Sequence, residues 1–470
     1  MTSGYDEAFR AFQQAFAGYS DGSRLDHLRA TDYERLDRLG HVYLDYTGGS
    51  LHGASQLQRH ADLLQNTVLG NPHSNNPTSL DASRLVDRAR ASVLSFFNAD
   101  PGVYDVIFTP NATGALKLVG EAYPFEAGGR LVLTYDNHNS VNGLREFARR
   151  RGARVTYLPV LTPDLRVDGD AVLAELGQTT PGAPHLFAFP AQSNFSGVQH
   201  PLEWVGRAQQ AGWQVILDAA AYVPTNRFDL STVRPDFVSV SFYKMFGYPA
   251  GVGALIARHD ALRTLRRPWF AGGTITVASV QDERWHHLAS GHAGFEDGTV
   301  DYLGLPAIEI GLDHLSSIGI DAIHDRVMAL TGWLLARLTS AVHSNGAPMA
   351  RVFGPAGLDR RGATVAFHLM APDGTPYEVG AIEDRANASR ISLRTGCFCN
   401  PGDGEVAHGI SKDAMAQCFT GPSIPVSFLD CAETLRAFIG RSPNTLRASL
   451  GIASNFADVH TFMAFVEGFR

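Results

Sequence analysis

The stretch DFVSVSFYKMFG, residues 236–247, decides the fold of this chain. It begins as an alternating apolar strand and presents Lys244 at the strand end, beside a turn that contains Gly247, Gly251 and Gly253. A lysine amine attacks a carbonyl only when part of it is neutral, and desolvation lowers its pKa toward that state. Alone, Lys244 could be a surface residue after a buried strand. Its neighbours in the sequence favour a Schiff-base lysine.

An aspartate ends another apolar strand. Asp218 follows residues 215–217 and precedes three alanines. Because ligands of α/β sheets bind beyond the carboxyl ends of the strands, Asp218 is a candidate cofactor contact. Pyridoxal phosphate needs an acid opposite its ring nitrogen, since the protonated pyridinium is the electron sink that stabilises carbanions. The alternative is a helix N-cap or turn aspartate.

Three further strand ends carry candidate cofactor contacts. After the first, a helix begins whose free N–H groups near Ala112 and Thr113 could receive a phosphate, with the Thr113 hydroxyl as an extra donor. After the second, His138 could lie on the cofactor ring and relay protons near neutral pH. After the third, Asn194 could donate to the phenolic oxygen of the cofactor. Each residue could instead be a cap, a structural residue or a turn residue, but together their order favours a cofactor site.

This order of strand-end residues resembles class V aminotransferases, the branch of fold-type I pyridoxal phosphate enzymes that includes the cysteine desulfurases. Three segments resemble the N-terminal desulfurase domain of molybdenum cofactor sulfurases: SFYKMFGYP (241–249), FEDGTV (295–300) and RTGCFCNPG (394–402). The resemblance runs from about Leu44 to the C terminus. It implies an α/β fold of type I, with a large, mostly parallel sheet domain and a smaller C-terminal α/β domain, and it implies pyridoxal 5'-phosphate as cofactor.

The pattern of strands and helices predicts three parts. Residues 1–44 form an N-terminal helical arm, in which phenylalanines at helical spacing predict an amphipathic helix that docks on the body. Residues 45–302 form the large cofactor-binding domain, a parallel sheet with helices on both faces. Residues 303–470 form the small domain with the cysteine loop.

The resemblance also assigns residues that the pattern alone does not. Ser241 joins Thr113 in holding the cofactor phosphate. Tyr243 contacts the cofactor at a position where many relatives have histidine. Thr299 is expected at the cofactor phosphate of the neighbouring subunit, so the active site would be shared across a homodimer.

Two arginines of the small domain are candidate substrate contacts. Arg447 lies in a segment, residues 444–451, that resembles the one gripping the substrate α-carboxylate in cysteine desulfurases. A guanidinium fork suits that task because it meets both carboxylate oxygens at once. Arg394 opens the cysteine motif and is a candidate to position the substrate or the loop.

The thiols decide the reaction class. In the family, a cysteine five residues after the motif arginine attacks the substrate sulfur, and here that position is Cys399. A buried structural cysteine and a four-thiolate zinc site are alternatives, but the Cys-x-Cys spacing fits zinc ribbons poorly and we assign no metal. All four cysteines lie between Cys397 and Cys431, which is not the spread of a disulfide framework and favours a reducing cytoplasm.

Composition agrees with a soluble enzyme. The chain has 470 residues, 44% hydrophobic and 18% charged, enough for two domains with sizeable cores. Its formal charge of −8 argues against a general nucleic-acid surface. No secretory signal opens the sequence, and no apolar segment reaches membrane-spanning length.

The sequence therefore predicts a homodimeric pyridoxal phosphate enzyme that converts L-cysteine to L-alanine and leaves a persulfide on Cys399. Lys244 would hold the cofactor and shuttle protons, and an acceptor molecule or protein would take the sulfur. The rivals are an aminotransferase, racemase or carbon–sulfur lyase that acts on another amino acid, and a non-catalytic sulfur-relay partner. Full-length sulfurases continue into a domain that binds the molybdenum cofactor, so the final acceptor stays open.

Overall fold

The computed structural model describes residues 2–21, 23–420, 428–440 and 442–470. The N-terminal arm is helical as far as the first short strand. Its elements are α1 (Thr2–Ala15), a 3-10 turn (Ala17–Asp21), α2 (Ser23–Thr31), α3 (Arg35–Arg38) and β1 (Val42–Tyr43). Two longer helices follow, α4 (Ala54–Asn66) and α5 (Pro77–Phe96).

The arm docks on the last helix of the chain, as its phenylalanine spacing predicts. Phe12 of α1 is buried and its ring stacks on that of Phe456, with 4.7 Å between centroids. Arg29 of α2 is also buried and donates to Asp458 at 2.9 Å and to the carboxylate of Asp37. The arm is therefore joined to the C-terminal part of the chain by aromatic packing and by buried ion pairs.

The large sheet has seven strands in the order β2-β10-β9-β8-β7-β3-β4. Its strands are β2 (Tyr104–Thr109), β3 (Arg130–Thr134), β4 (Arg154–Leu158), β7 (His185–Pro190), β8 (Gln214–Asp218), β9 (Phe237–Ser241) and β10 (Gly253–Arg258), and a separate hairpin contains β5 (Val160–Leu161) and β6 (Arg166–Val167). The helices between them are α6 (Ala112–Ala122), α7 (Asn139–Asn142), α8 (Leu144–Arg150), α9 (Gly169–Leu176), α10 (Trp204–Gln210), α11 (Phe242–Phe246) and α12 (His259–Leu262).

Six of these seven strands run in one direction and β10 runs against both its neighbours. Most strand residues are buried, because helices cover both faces and leave no face for water. The carboxyl ends of the six co-directional strands therefore meet along one edge of the sheet.

The chain then crosses to a smaller unit. The connecting elements are β11 (Ile275–Ala278), β12 (His286–Leu288), a 3-10 turn (Gly291–Gly294), α13 (Pro306–Ile318) and α14 (Ile320–Ser340). The remaining elements are β13 (Ala350–Phe353), β14 (Thr364–Leu369), α15 (Val379–Ala388), β15 (Ile391–Ser392), β16 (Arg394–Gly396), α16 (Pro401–Ala407), α17 (Lys412–Thr420), α18 (Phe428–Ile439), β17 (Thr445–Ser449) and α19 (Phe456–Glu467).

The small sheet is antiparallel, in the order β13-β14-β17-β16. Strand β1 pairs with β15, and Asp45 forms an isolated parallel bridge with Ser449, so the segment after the arm runs along this sheet. Among the described residues, no helix combines the length and apolar character that a membrane crossing requires.

Helices α13 and α14 are separated by Gly319, which adopts φ 95° between them. One local expectation differs from the structure. Lys244 lies in the one-turn helix α11 and not at the strand end itself. Strand β9 stops at Ser241, where its pairing with β10 ends, and Gly247 terminates the turn at φ 80°.

Candidate active site

A cavity of about 250 Å³ opens at the carboxyl edge of the large sheet. It brings together all but one of the predicted cofactor contacts. These are Ala112, Thr113, His138, Asn194, Asp218, Ser241, Tyr243 and Lys244. The parallel strands deliver these side chains from five separate parts of the chain to one edge.

Lys244 supplies the amine of the site. Burial lowers the pKa of this amine, the carboxylate of Asp218 opposes the shift, and the positive charge of Arg447 reinforces it. A thiolate at Cys399 also acts on Lys244 and raises its pKa, which places the two groups within electrostatic reach. A larger share of the amine is therefore neutral than in an exposed lysine, as imine chemistry requires.

The carboxylate of Asp218 is fixed by two donors. Its Oδ1 accepts from the Ser239 hydroxyl at 3.0 Å and from the Ala220 N–H at 3.1 Å. Donors of this kind hold the carboxylate in one orientation at the floor of the cavity. That orientation suits an acid opposite a pyridine nitrogen.

The start of α6 has the character of an anion site. Asn111 caps the helix by accepting from Gly114, so the Thr113 hydroxyl is not spent on capping. Thr113 Oγ1 lies 2.7 Å from Ser140 Oγ, and Ser241 Oγ accepts from the Ala112 N–H at 2.9 Å. These three hydroxyls at a helix N terminus fit a phosphate. Ser140 was missed from the sequence, although its place two residues after His138 was a usable signal.

His138 is held as a neutral ring. Its Nδ1 accepts from the Ser140 N–H at 3.1 Å, which caps the short helix α7. Burial lowers the pKa of His138, and the nearby charge of Lys244 lowers it further. Since Nδ1 accepts, the neutral ring carries its proton on Nε2.

Asn194 lines the cavity and also holds the cysteine loop, a use that its sequence context did not indicate. Its amide donates to the Phe398 carbonyl at 2.7 Å, and its side-chain oxygen accepts from Asn400 at 3.1 Å. One hydrogen of the Asn194 amide is therefore used to hold the loop. The other hydrogen is the one that would donate to the phenolic oxygen of the cofactor, as the sequence predicts.

The cysteine loop is pinned on both sides of an exposed thiol. Phe398 is buried between the Phe195 ring and the Arg447 guanidinium, while the Cys399 carbonyl accepts from the Asn139 N–H at 2.7 Å. Phe398 and Cys399 have φ values of 57° and 55°, which cost roughly 1–2 kcal/mol each for residues other than glycine. The surrounding contacts hold this strained backbone and leave the Cys399 side chain exposed, with Cys397 half-buried.

Two buried acids lie beneath the loop and were also missed. Asp403 accepts from Ser193 Oγ at 2.6 Å, and Asp136 Oδ2 lies 2.6 Å from His200 Nε2. Burial, and then the neighbouring charge of Asp136, raise the pKa of Asp403 well above its ordinary value. Asp403 is therefore held in its protonated form beneath the loop, over a pH range in which an exposed aspartate is ionised.

The two predicted arginines meet at a third, unpredicted residue. Arg394 and Arg447 are register partners on β16 and β17, and Arg447 is almost fully buried. Asp45 bridges them: its Oδ1 accepts from Arg447 at 3.0 Å and its Oδ2 from Arg394 at 2.6 Å. A second Arg447 nitrogen donates to the Asn194 carbonyl at 2.9 Å.

Thr299 lies apart from Lys244 within one chain. It is exposed and lines a different cavity, of about 390 Å³, together with Thr109 and Lys117. Its expected contact with the phosphate of a neighbouring subunit therefore stays a prediction.

The bonding of the remaining cysteines differs from the sequence analysis, which expected no disulfide framework. Cys418 of α17 and Cys431 of α18 form a disulfide, whereas Cys397 and Cys399 are free. Cys418 and Cys431, while bonded to each other, are not available to the four-thiolate zinc site considered above. Sequence spacing could not show this pairing, since it depends on how the two helices pack.

The site as a whole fits pyridoxal phosphate: an amine of lowered pKa, a fixed carboxylate, and a helix N terminus with hydroxyls for a phosphate. The fold and this site define a pyridoxal phosphate-dependent enzyme of fold type I. Residues 42–462 match the family model of class V aminotransferases, and the chain belongs to that family. Pyridoxal phosphate is its cofactor.

The curated relatives of this chain include molybdenum cofactor sulfurases. That of Solanum lycopersicum is 34% identical over 96% of this chain and 58% of its own length, and that of Homo sapiens is 35% identical over 96% of this chain and 52% of its own. The chain thus spans about half the length of the curated relatives it matches.

Solved structures share the fold. The apo cysteine desulfurase of Thermococcus onnurineus NA1 superposes with a TM-score of 0.74 at 22% identity, covering 94% of this chain and 97% of that one. A variant of the protein C-DES with glycine covalently linked to its PLP cofactor gives a TM-score of 0.67 at 18% identity, covering 92% and 97%. The predicted fold class is confirmed.

A first prediction concerns Lys244. Covalent uptake of pyridoxal phosphate by the apoenzyme should speed up with pH around a midpoint below the ordinary lysine pKa, because burial favours the neutral amine. Asp218→Asn should move the midpoint lower still, since it removes a charge that favours the ammonium. Absorbance during reconstitution gives the rate, and borohydride reduction with peptide mapping gives the position. The exposed Lys117→Ala is the control, and a label on any lysine other than Lys244 would refute the assignment.

A second prediction concerns the buried acid Asp403. Its raised pKa stabilises the folded state most at low pH, and this contribution is lost as pH rises through the folded pKa. Asp403→Asn keeps an acceptor for Ser193 but cannot ionise, so its Tm relative to the native protein should be higher at pH 8 than at pH 5 by at least about 2 °C. The exposed Asp62→Asn should show no such trend. Parallel Tm curves for Asp403→Asn and the native protein would contradict this account.

Proposed function

We propose that this chain is a sulfurtransferase of the cysteine desulfurase type, which takes sulfur from L-cysteine, releases L-alanine and carries a persulfide on Cys399. The observation that carries the proposal is the exposed Cys399 thiol, held on a pinned loop within electrostatic reach of the amine of Lys244. An aminotransferase or racemase needs the lysine and the aspartate but has no use for this thiol.

The names of the relatives support the same chemistry. The curated relatives are molybdenum cofactor sulfurases and the structural neighbours include cysteine desulfurases. The final acceptor of the sulfur is either a protein or a small molecule, and a separate protein that binds the molybdenum cofactor is one candidate.

Each residue has a defined task in this proposal. Arg447 would bind the substrate α-carboxylate, which fixes the amino acid with its side chain toward the cysteine loop. When bound, the cofactor withdraws electrons from the substrate carbons, so that the bond from Cβ to sulfur can break. The thiolate of Cys399 would form a sulfur–sulfur bond to the departing sulfur. Lys244 would remove the proton at Cα and return one to carbon, leaving alanine.

His138 and Asp218 would each support these steps in a different way. A neutral His138 can lie on the cofactor ring without adding a positive charge, and Asp218 keeps the ring nitrogen protonated. Thr113 and Ser241 would hold the phosphate, and Tyr243 would contact the cofactor beside Lys244. This division separates holding the cofactor from moving protons at the substrate.

The proposal includes a homodimer in a reducing compartment. Thr299, which lies away from the Lys244 cavity of its own chain, would contact the phosphate bound by a second copy. A reducing cytoplasm would keep Cys418 and Cys431 as thiols, whereas the structure pairs them in a disulfide.

A third prediction separates the two loop cysteines. Brief treatment with L-cysteine should add one sulfur atom to Cys399, measured by mass spectrometry of its peptide. Cys399→Ser should keep its cofactor. It should release no sulfide from L-cysteine, even with a reductant present, because no thiolate remains to take the sulfur. Cys397→Ser is the matched control and should lose much less activity. Full activity of Cys399→Ser would favour a carbon–sulfur lyase.

A fourth prediction tests Arg447. Arg447→Ala should retain the absorbance of bound cofactor and lose about 2–4 kcal/mol in kcat/KM for L-cysteine, because a charge-assisted contact in a desolvated site is removed. Arg351→Ala, an exposed arginine on β13, is the control. Unchanged kinetics in Arg447→Ala would remove the assignment.

A further inference from the structure

We propose that Asp45 is a specificity-determining positioning residue, which holds Arg394 and Arg447 together and limits their combined charge so that the receptor accepts a single carboxylate. This inference rests on the proposed function, in which Arg447 binds the substrate carboxylate. Asp45 itself does not touch the reacting atoms.

The contacts of Asp45 join three parts of the chain. Its carboxylate comes from the segment after β1 and meets guanidiniums on β16 and β17 at 2.6 and 3.0 Å. Asp45 is almost buried, and the bridge between its backbone and Ser449 fixes where the carboxylate can reach. A bridging carboxylate of this kind defines the distance and the relative orientation of the two guanidiniums.

The charges around Asp45 leave one positive charge unbalanced. Arg394 and Arg447 contribute two, and Asp45 cancels one. Tyr43 adds none at neutral pH, because burial and then the Asp45 charge raise its pKa to about 12. Cys399 is the other titratable group near Arg394, and while its thiol is uncharged one monocarboxylate balances the two arginines and Asp45.

Arg447 retains unused hydrogen-bonding capacity. Its Nε is buried and has no hydrogen-bond partner among the residues that the structure describes. Buried guanidinium nitrogens are normally paired, so Nε is a donor that the contacts within the chain leave over. Two of its other donors are already committed to Asp45 and to the Asn194 carbonyl, which fixes the plane of the fork.

Gly48 shows that the Asp45 ion pair leaves no space beside it. A Cβ at this position would lie 2.6 Å from both Arg394 Nη2 and Asp45 Oδ2. Any larger residue would have to push the carboxylate or the guanidinium aside. Gly48→Ala therefore perturbs the same ion pair without removing a charge.

Sulfate is the probe for the experiment, since it is a small dianion that does not need sulfur-transfer chemistry to bind. In Asp45→Asn holoenzyme, no carboxylate opposes the two positive charges of Arg394 and Arg447, so sulfate should compete with L-cysteine at least about tenfold more tightly than in the native holoenzyme. Competition is read from the absorbance change of the bound cofactor on adding L-cysteine, and sulfate binding alone is read from the rise in Tm.

Asp45→Glu is the matched control. It keeps the charge while changing the length of the side chain, so its sulfate affinity should stay at the native value even if its KM for L-cysteine rises. The double variant Asp45→Asn, Arg447→Ala should lose the gain in sulfate affinity, which assigns the effect to the arginine.

The outcomes separate this inference from the proposed function. Equal sulfate affinity in Asp45→Asn and the native holoenzyme would overturn the role of Asp45, as would an equal gain in Asp45→Glu. If Asp45→Asn fails to fold, Gly48→Ala should weaken L-cysteine binding and leave cysteamine, which lacks the carboxylate, unaffected; an equal loss for both would overturn the proposal. Sulfur found on a residue other than Cys399 would refute the sulfur-transfer assignment and leave the sulfate result standing.

Discussion

Parallel strands in one sheet must deliver their carboxyl ends to the same edge, and the site of this protein depends on that constraint. The carboxyl ends of β2, β3, β7, β8 and β9 and the segments that follow them supply the start of α6, His138, Asn194, Asp218 and Lys244. Strand β10 is the exception, since it runs the other way and begins beside Ser241. Lys244, Asp218 and the helix N terminus at Ala112 thus come together, although more than about a hundred residues separate Ala112 from Lys244.

The C-terminal unit adds what the sheet edge lacks, a free thiol and the arginine that we propose as the contact of the substrate carboxylate. Its cysteine loop is held by hydrogen bonds from Asn139 and Asn194 on the large sheet and by the Phe398 ring, which lies under the Arg447 guanidinium. The same arginine is thus both a candidate substrate contact and part of the packing that holds the loop. In the proposed function, substrate recognition and the position of the thiol are consequently linked through one side chain.

The site concentrates buried ionisable groups that a purely structural core would avoid. Burial lowers the pKa of Lys244 and raises that of Asp403, and both shifts are unfavourable for the folded protein at neutral pH. The left-handed backbone at Cys399 adds to this cost. Large cores on both faces of the seven-stranded sheet offset these terms.

The sequence by itself determined the sheet type and the strand-end residues, because these depend on local patterns of apolar residues and on their order along the chain. The cofactor class followed from the resemblance of that order, and of three motifs, to a known family. The N-terminal helix was predictable for the same reason. Only the tertiary structure decided which residues meet across long separations. Asp45 and Arg447 are 402 residues apart, and the Asn194 amide reaches the loop 204 residues later. Nothing local distinguishes Asp45 from another aspartate after a short strand, since its role arises only when β1 lies along the small sheet.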